Sequence, residues 1–267
     1  MIKLIATDID GTILKYNFEF NQEVKDCIKK LTNEGVKVVL VTGRMHAATT
    51  YVAKELGLDN PIVSYQGGLI KFHDEVLYQR TLNPERAKEI IAWAKQNKVH
   101  LNLYMGDELY VEKDDEVIRR YTRERKTGYH VGPFEELELK NINKMLAIDF
   151  EDFEKVSTWR DYLSATYKDV DIVKSTPYFC EISNLEATKY HSVTFLREYL
   201  GLKQEEVLTI GDQDNDINLL KAGGVKVAMG NATEALKSVA DYVTDTVNNN
   251  GFVKAVEKFV YDGKVKL

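Results

Sequence analysis

Two aspartates, Asp8 and Asp10, stop the apolar run Leu4–Thr7, and Gly11 and Thr12 follow them. Carboxylates repel one another and cost free energy when buried without a partner. A buried strand that ends on two of them implies positive charge nearby. Two other apolar runs end in the same way. Val38–Val41 leads into Thr42, Gly43 and Arg44, and Val207–Ile210 leads into Gly211, Asp212, Asp214, Asn215 and Asp216. Brought together, these acidic groups need a cation, and an all-oxygen ligand set favours magnesium or a similar hard ion. The spacing of Asp8 and Asp10 sends both side chains to one side of a continuing strand. A carboxylate nucleophile beside a carboxyl general acid is one chemical use of such a pair. Gly11 allows the backbone to turn closely past a ligand. Thr42 and Gly43 offer a hydroxyl and unhindered N–H groups to a phosphate oxygen.

Each cluster taken singly has an ordinary reading. Asp-x-Asp-Gly-Thr can be a turn closed by an aspartate side chain, and Thr-Gly-Arg can be a strand-to-helix turn. The run from Asp212 to Asp216 opens like a calcium loop, but its sixth position is Ile217, where that loop needs glycine, and its twelfth is Gly223, where it needs glutamate. The chemical reading rests on three such clusters, each at the end of an apolar strand.

The elements that must position them follow from hydrophobic periodicity. Residues 3–7, 36–44 and 61–68 read as strands, the second a near-continuous apolar run. Between them lie two helices, one with Val24, Cys27, Ile28 and Leu31 on one face, Asn21 as N-cap and Gly35 as stop, the other ending at Gly57. This strand–helix alternation predicts a parallel sheet with right-handed crossovers. In such a sheet the carboxyl ends of the strands face one crevice, so clusters two hundred residues apart can converge. Near residue 82 the pattern changes. A helix capped by Asn83 with Pro84 in its first turn is followed by short strands, a charged helix over 115–126, and a helix over 152–167 with Phe153, Val156, Trp159 and Leu163 on one face. A hairpin through Thr176 and Pro177 closes this block. Strand–helix alternation resumes after residue 186. The expected organisation is a discontinuous α/β core, residues 1–81 and 187–267, with an α+β cap inserted at 82–186.

The chain has 267 residues, 44% of them apolar, enough to bury a substantial core. A net charge of −6 argues against a nucleic-acid partner. No run approaches the ~18 apolar residues of a membrane span, and Asp8 and Asp10 interrupt any signal-peptide pattern. Cys27 and Cys180 read as buried thiols in a reducing compartment. The expectation is a cytoplasmic monomer with no nucleic-acid or membrane partner.

The sequence resembles the haloacid dehalogenase (HAD) superfamily phosphatases of the Cof-type subgroup, a Rossmann-like parallel-sheet core with a cap inserted after the third core strand. Asp8-Ile9-Asp10-Gly11-Thr12, Thr42, and Gly211-Asp212 with Asn215-Asp216 carry the likeness, which spans the whole chain. The resemblance implies a Mg2+-dependent hydrolysis of small phosphorylated metabolites, with sugar phosphates the leading class and flavin mononucleotide or pyridoxal phosphate as alternatives. Asp8 would form an aspartyl-phosphate, and Asp10 would protonate the leaving group and then activate water. Asp8, the Asp10 carbonyl and Asp212 would bind the metal, with Asp216 supporting it from behind. The backbone at Ile9, together with Thr42, Gly43, Lys189 and Asn215, would hold the phosphoryl group. The family has Lys-Gly where this chain has Lys189-Tyr190, and Lys174 is a second candidate for that lysine. Gln66-Gly67 stands where the family often has Asn-Gly, which makes Gln66 a candidate substrate contact. A sugar phosphomutase and an inactive metabolite-binding regulator are the competing functions.

Overall fold

The computed structural model describes residues 1–125 and 127–262. Along the chain run β1 (Leu4–Thr7), α1 (Gln22–Asn33), β2 (Lys37–Leu40), α2 (His46–Glu55), β3 (Ile62–Ser64), β4 (Leu69–Phe72) and β5 (Glu75–Gln79). Next come α3 (Pro84–Gln96), β6 (His100–Met105), β7 (Glu108–Val111), α4 (Glu116–Arg125), β8 (His130–Val131), β9 (Ile142–Ile148), α5 (Phe153–Thr166), β10 (Val170–Thr176) and β11 (Phe179–Asn184). The chain ends with α6 (Lys189–Tyr199), β12 (Val207–Gly211), α7 (Ile217–Ala222), β13 (Val225–Ala228), α8 (Glu234–Lys237), β14 (Tyr242–Val243) and α9 (Gly251–Val256). Two compact units result, one of Met1–Gln79 with Thr188–Leu267, the other of Arg80–Ala187.

The first unit holds a five-stranded sheet in the order β14-β13-β12-β1-β2, and every pairing in it is parallel. Successive residues of β1 enter opposite faces. Ile5 packs with α1 and α9 through Ile28, Leu31 and Phe252, while Leu4 and Ala6 pack with α6 and α7 through Val193, Leu196 and Leu219. Full burial on both faces explains why these strands read as unbroken apolar runs. Each such aliphatic side chain contributes roughly 1.5–3 kcal/mol relative to exposure. The chain leaves β1 toward β2 on one side and later lays β12 on the other, so the strand order reverses beside β1. That reversal opens a crevice at the carboxyl ends. Thr7 pairs with Ile210 and with Leu40, which brings the residues that follow all three strands to one edge. β3 extends this edge through a Val41–Val63 bridge and a Thr42 N–H bond to the Val63 carbonyl of 3.0 Å.

Two details differ from the sequence expectations. The expected elements skip residues 69–79, where β4 and β5 form an antiparallel hairpin with β3. Its turn places His73 at φ +52°, without the Asn-Gly or Asp-Gly signal that marks such turns. Asn21 stands at the N-cap of α1, but its amide donates to the Val247 carbonyl and to Asn250 and leaves the helix end uncapped by a side chain.

The second unit is a six-stranded sheet, β10-β11-β9-β6-β7-β8, antiparallel except for β7–β8. Leu101, Leu103, Met145, Ala147 and Ile182 on one face pack against α3 and α5. Val156, Trp159 and Leu163 are buried as expected, but Phe153, the first residue of α5, is exposed, with its ring edge-on to Tyr178. Tyr104 and Phe179 are buried, with the Tyr104 hydroxyl bonded to that of Tyr121, whereas Tyr110 and Tyr178 are half-buried. His100 bonds to Asp115 and Asn102, and His130 to Glu108. Residue 126, the end of the expected charged helix, lies outside the described residues. Both cysteines are free and buried, and among the described residues no helix is long and apolar enough to cross a membrane.

Candidate active site

Asp8 leaves β1 with its N–H still bonded to the Ile210 carbonyl at 3.0 Å, so its backbone is fixed by the sheet itself. Ile9 sends its side chain into the core, and its carbonyl accepts from Thr12, Ile13 and Leu14 to close a tight turn. Gly11 makes that turn possible at φ +79°, and a Cβ there would lie 2.3 Å from Asp212 Oδ2. Only glycine satisfies both conditions.

Lys189 is the first residue of α6, behind a Thr188 cap whose hydroxyl accepts from the His191 N–H. It is not a solvated lysine. Its side chain is 1% exposed, and Nζ donates to Asp8 Oδ1 and to Asp216 Oδ1, each at 2.6 Å. The other oxygen of Asp216 accepts from the backbone N–H groups of Asp212 and Gln213. Asp216 therefore ties the loop after β12 to the lysine. Lys174, the alternative, donates to the Phe153 carbonyl and Ser157 Oγ within its own unit.

Asp8, Asp212 and Asp216 are all buried and can offer oxygens within 4.8 Å of one another. Asp10 is outside this carboxylate group. Arg44 grips its carboxylate with two N–H donors, Nε at 2.8 Å and Nη2. Asp214, read from sequence as a member of the crevice, accepts instead from Thr233 Oγ1 at 2.6 Å on an exposed turn. Thr42 is buried, and its hydroxyl accepts from the Arg44 N–H at 3.2 Å. Its own N–H is spent on Val63, so of the expected donors it retains only the hydroxyl. Gly43 lies against the Gln66 side chain, which accepts from Asn215 Nδ2 at 3.1 Å. Asn215 and Gln66, expected to contact phosphate and substrate, are thus bonded to each other.

Three residues at the site escaped the motif reading. Arg44, in sequence only the end of a Thr-Gly-Arg turn, pairs with Asp10. Tyr16 donates to Asp212 Oδ2 at 2.7 Å, and Asn231 donates to the Gly11 carbonyl at 2.9 Å while accepting from the Val247 N–H. Neither Tyr16 nor Asn231 carries a spacing signal, since the tertiary fold alone brings them to the cluster.

The electrostatics follow from burial. Burial raises the Asp8 carboxyl well above the usual range. Lys189 opposes this, and Asp216, Asp10 and Asp212 reinforce it. Burial also raises Asp212, against hydrogen bonds from Tyr16, Gln213 and Thr12. Burial alone would lower Lys189, but Asp216 and Asp8 outweigh it and hold the ammonium charged. Burial, then the bond to Asp212, pushes the Tyr16 phenol to about 12. Three buried acids surround one buried ammonium, and if all three were ionised they would exceed it by two negative charges; the upward shifts of Asp8 and Asp212 have the direction that missing positive charge gives. Oxygen donors with that deficit fit a hard divalent cation.

A family model of haloacid dehalogenase-like hydrolases matches residues 5–256. Phosphatase YwpJ of Bacillus subtilis is 28% identical over 278 residues, covering 94% of this chain and 97% of that relative. The 5-amino-6-(5-phospho-D-ribitylamino)uracil phosphatase YcsE of the same organism is 29% identical over 259 residues, covering 97% of this chain and 96% of its own. A crystal structure of a Thermotoga maritima protein superposes with a TM-score of 0.88 at 34% identity over 97% of each chain.

Proposed function

The chain belongs to the haloacid dehalogenase-like hydrolases and is a phosphoric monoester hydrolase, and from that premise we propose that it is a magnesium-dependent phosphatase of small phosphorylated metabolites, working through a phosphoryl group carried on Asp8. The observation that carries this reading is the convergence of three buried carboxyl groups, Asp8, Asp212 and Asp216, on a single buried ammonium, Lys189. Asp8 and Asp212, with the Asp10 carbonyl, are the groups to hold the ion, and Asp216 braces Lys189 and the loop behind them. A bound magnesium ion would supply charge neutralisation for the phosphoryl oxygens.

The Asp8 oxygen not bonded to Lys189 attacks phosphorus, and the bond from phosphorus to the ester oxygen breaks. Asp10, which Arg44 holds in place as a carboxylate before substrate enters, takes up a proton in the substrate complex and gives it to that oxygen. In the second step Asp10 takes a proton from water as the water oxygen attacks phosphorus, and the bond to Asp8 breaks. Lys189, Thr42 Oγ1 and the backbone N–H groups at Ile9 and Gly43 face the charge that spreads over the equatorial oxygens. Asn215 positions Gln66 at the rim. The Arg80–Ala187 unit takes the place in the chain of the expected cap, and leaving-group selection is assigned to it. Sugar phosphates are the substrate class. YcsE, named for a substrate that carries its phosphate on a ribityl chain, supports a polyol phosphate.

Phosphate release from a panel of phosphorylated metabolites, scored by kcat/KM with magnesium and with EDTA, tests this reading. The expected result is magnesium-dependent release favouring sugar phosphates, abolished in Asp8→Asn. Isomer interconversion with little free phosphate would replace it with the mutase reading, and undiminished turnover in Asp8→Asn would remove the assigned nucleophile.

A further inference from the structure

Tyr16 lies outside every motif yet bonds directly to the acidic cluster. Its hydroxyl donates to Asp212 Oδ2 at 2.7 Å, and the same oxygen accepts from Gln213 Nε2 at 2.9 Å. Gln213 Nε2 and Asn231 Nδ2 each donate to the phenol oxygen at 3.4 Å, which directs its proton onto Asp212. Asp212 Oδ1 accepts from Thr12 Oγ1 at 3.2 Å. A carboxylate oxygen has two lone-pair sites, and two donors at normal distance take both on Oδ2.

The rest of the tyrosine is mostly in solvent, with 59% of the residue exposed. Two positions on, Phe18 is 68% exposed, sits at φ +65°, and has its ring 6.0 Å from the Arg44 guanidinium. The loop Lys15–Phe18 is closed by the Phe18 N–H bond to the Lys15 carbonyl at 2.9 Å. Its base is held by the Leu14–Phe20 bridge and the Lys15 N–H bond to the Glu19 carbonyl at 3.1 Å, and its tip rests at two places, on Asp212 through Tyr16 and on the partner of Asp10 through Phe18. Burial of apolar surface does not hold the tip there.

We propose that Tyr16 and a divalent cation compete for Asp212, so that cation uptake releases the Lys15–Phe18 loop from the acidic cluster. This rests on the reading that the cluster holds a cation. An ion on Asp212 draws charge from the carboxylate and repels the donor hydrogens around it. A hydrogen bond to a charged acceptor corresponds to roughly a ten- to hundredfold change in an equilibrium. Linkage makes the effect mutual, so whatever affinity the ion loses to Tyr16, Tyr16 loses to the ion. The Tyr16 hydroxyl thus sets the magnesium concentration at which the site fills, and the loop reports its filling.

Titration calorimetry of magnesium into the full chain, without substrate, tests this on wild type, Tyr16→Phe and Asp212→Asn. Tyr16→Phe should bind about tenfold more tightly, and Asp212→Asn should lose binding. In wild type, the 13C resonance of Tyr16, assigned by its absence from Tyr16→Phe, should shift with the midpoint of the calorimetric titration. If Tyr16→Phe binds magnesium equally or more weakly, or the Tyr16 resonance stays fixed while the ion binds, competition is refuted and the cation site stands. If wild type binds no magnesium, both readings fall.

Discussion

Replacing Lys189 by methionine keeps most of the side-chain volume and removes the one positive charge inside the cluster. The lysine is 1% exposed and bonds to two carboxylates at 2.6 Å, of which Asp216 is fully buried and Asp8 nearly so. Breaking a buried ion pair by deleting one partner costs about 3–5 kcal/mol, because the remaining charge stays buried without compensation. For a unit of this size each kcal/mol shifts the melting temperature by about 2–4 °C. Lys189→Met should therefore melt roughly 6–20 °C lower at neutral pH in EDTA. The pH dependence has a definite sign. The Asp8 carboxyl titrates above its unfolded value, and loss of the lysine raises it further. The deficit is then full at neutral pH and shrinks as pH falls through that raised value, where protonated acids no longer need the ammonium. Phosphate release should fall by about 10²–10³. Calorimetric melting across pH 5–8, with turnover measured in parallel, reads both. A melting change under about 2 °C, a deficit that grows on acidification, or turnover near wild type would refute the assignment of Lys189 as the counter-charge of Asp8.

Other variants separate the remaining parts. Asp8→Asn should abolish turnover yet melt higher than wild type at pH 7 in EDTA, since burial of the ionised carboxylate opposes folding; a lower melting temperature would contradict the direction of that shift. Arg44→Ala frees the Asp10 carboxylate, so hydrolysis of alkyl phosphates should slow by roughly tenfold or more, while p-nitrophenyl phosphate, whose leaving group needs little protonation, changes less. Equal losses on both substrates would count against Arg44 as the residue that positions the acid. Gly11→Ala forces a Cβ to within 2.3 Å of Asp212 Oδ2 at φ +79° and should cost about 1–3 kcal/mol of stability, read by urea denaturation; an unchanged midpoint would show that the turn relaxes freely.

Much of this architecture is legible from sequence because it rests on local pattern. Strands buried on both faces read as continuous apolar runs, and Asp8, Thr42 and Asp212 follow three of them directly, so the parallel topology alone predicts their convergence. Lys189 could be placed by its position before α6, although its burial could not. What stayed hidden depends on contacts between distant segments. Tyr16, Asn231 and the Arg44–Asp10 pair have no periodicity of their own, and Gly11 packs against Tyr16 only because the loop after it folds back. Asp214 shows the converse error. Its spacing matched the cluster, but a single threonine at position 233 turns it outward.

The most direct test of the central claim is to catch the phosphoryl group on its carrier. Asp10→Asn enzyme, incubated with magnesium and a phosphorylated sugar, quenched in acid and digested for mass spectrometry, should carry a phosphoryl adduct on the peptide containing Asp8, and Asp8→Asn should carry none. An adduct on any other side chain, or none in Asp10→Asn while wild type turns over, would contradict Asp8 as the group that takes up phosphorus.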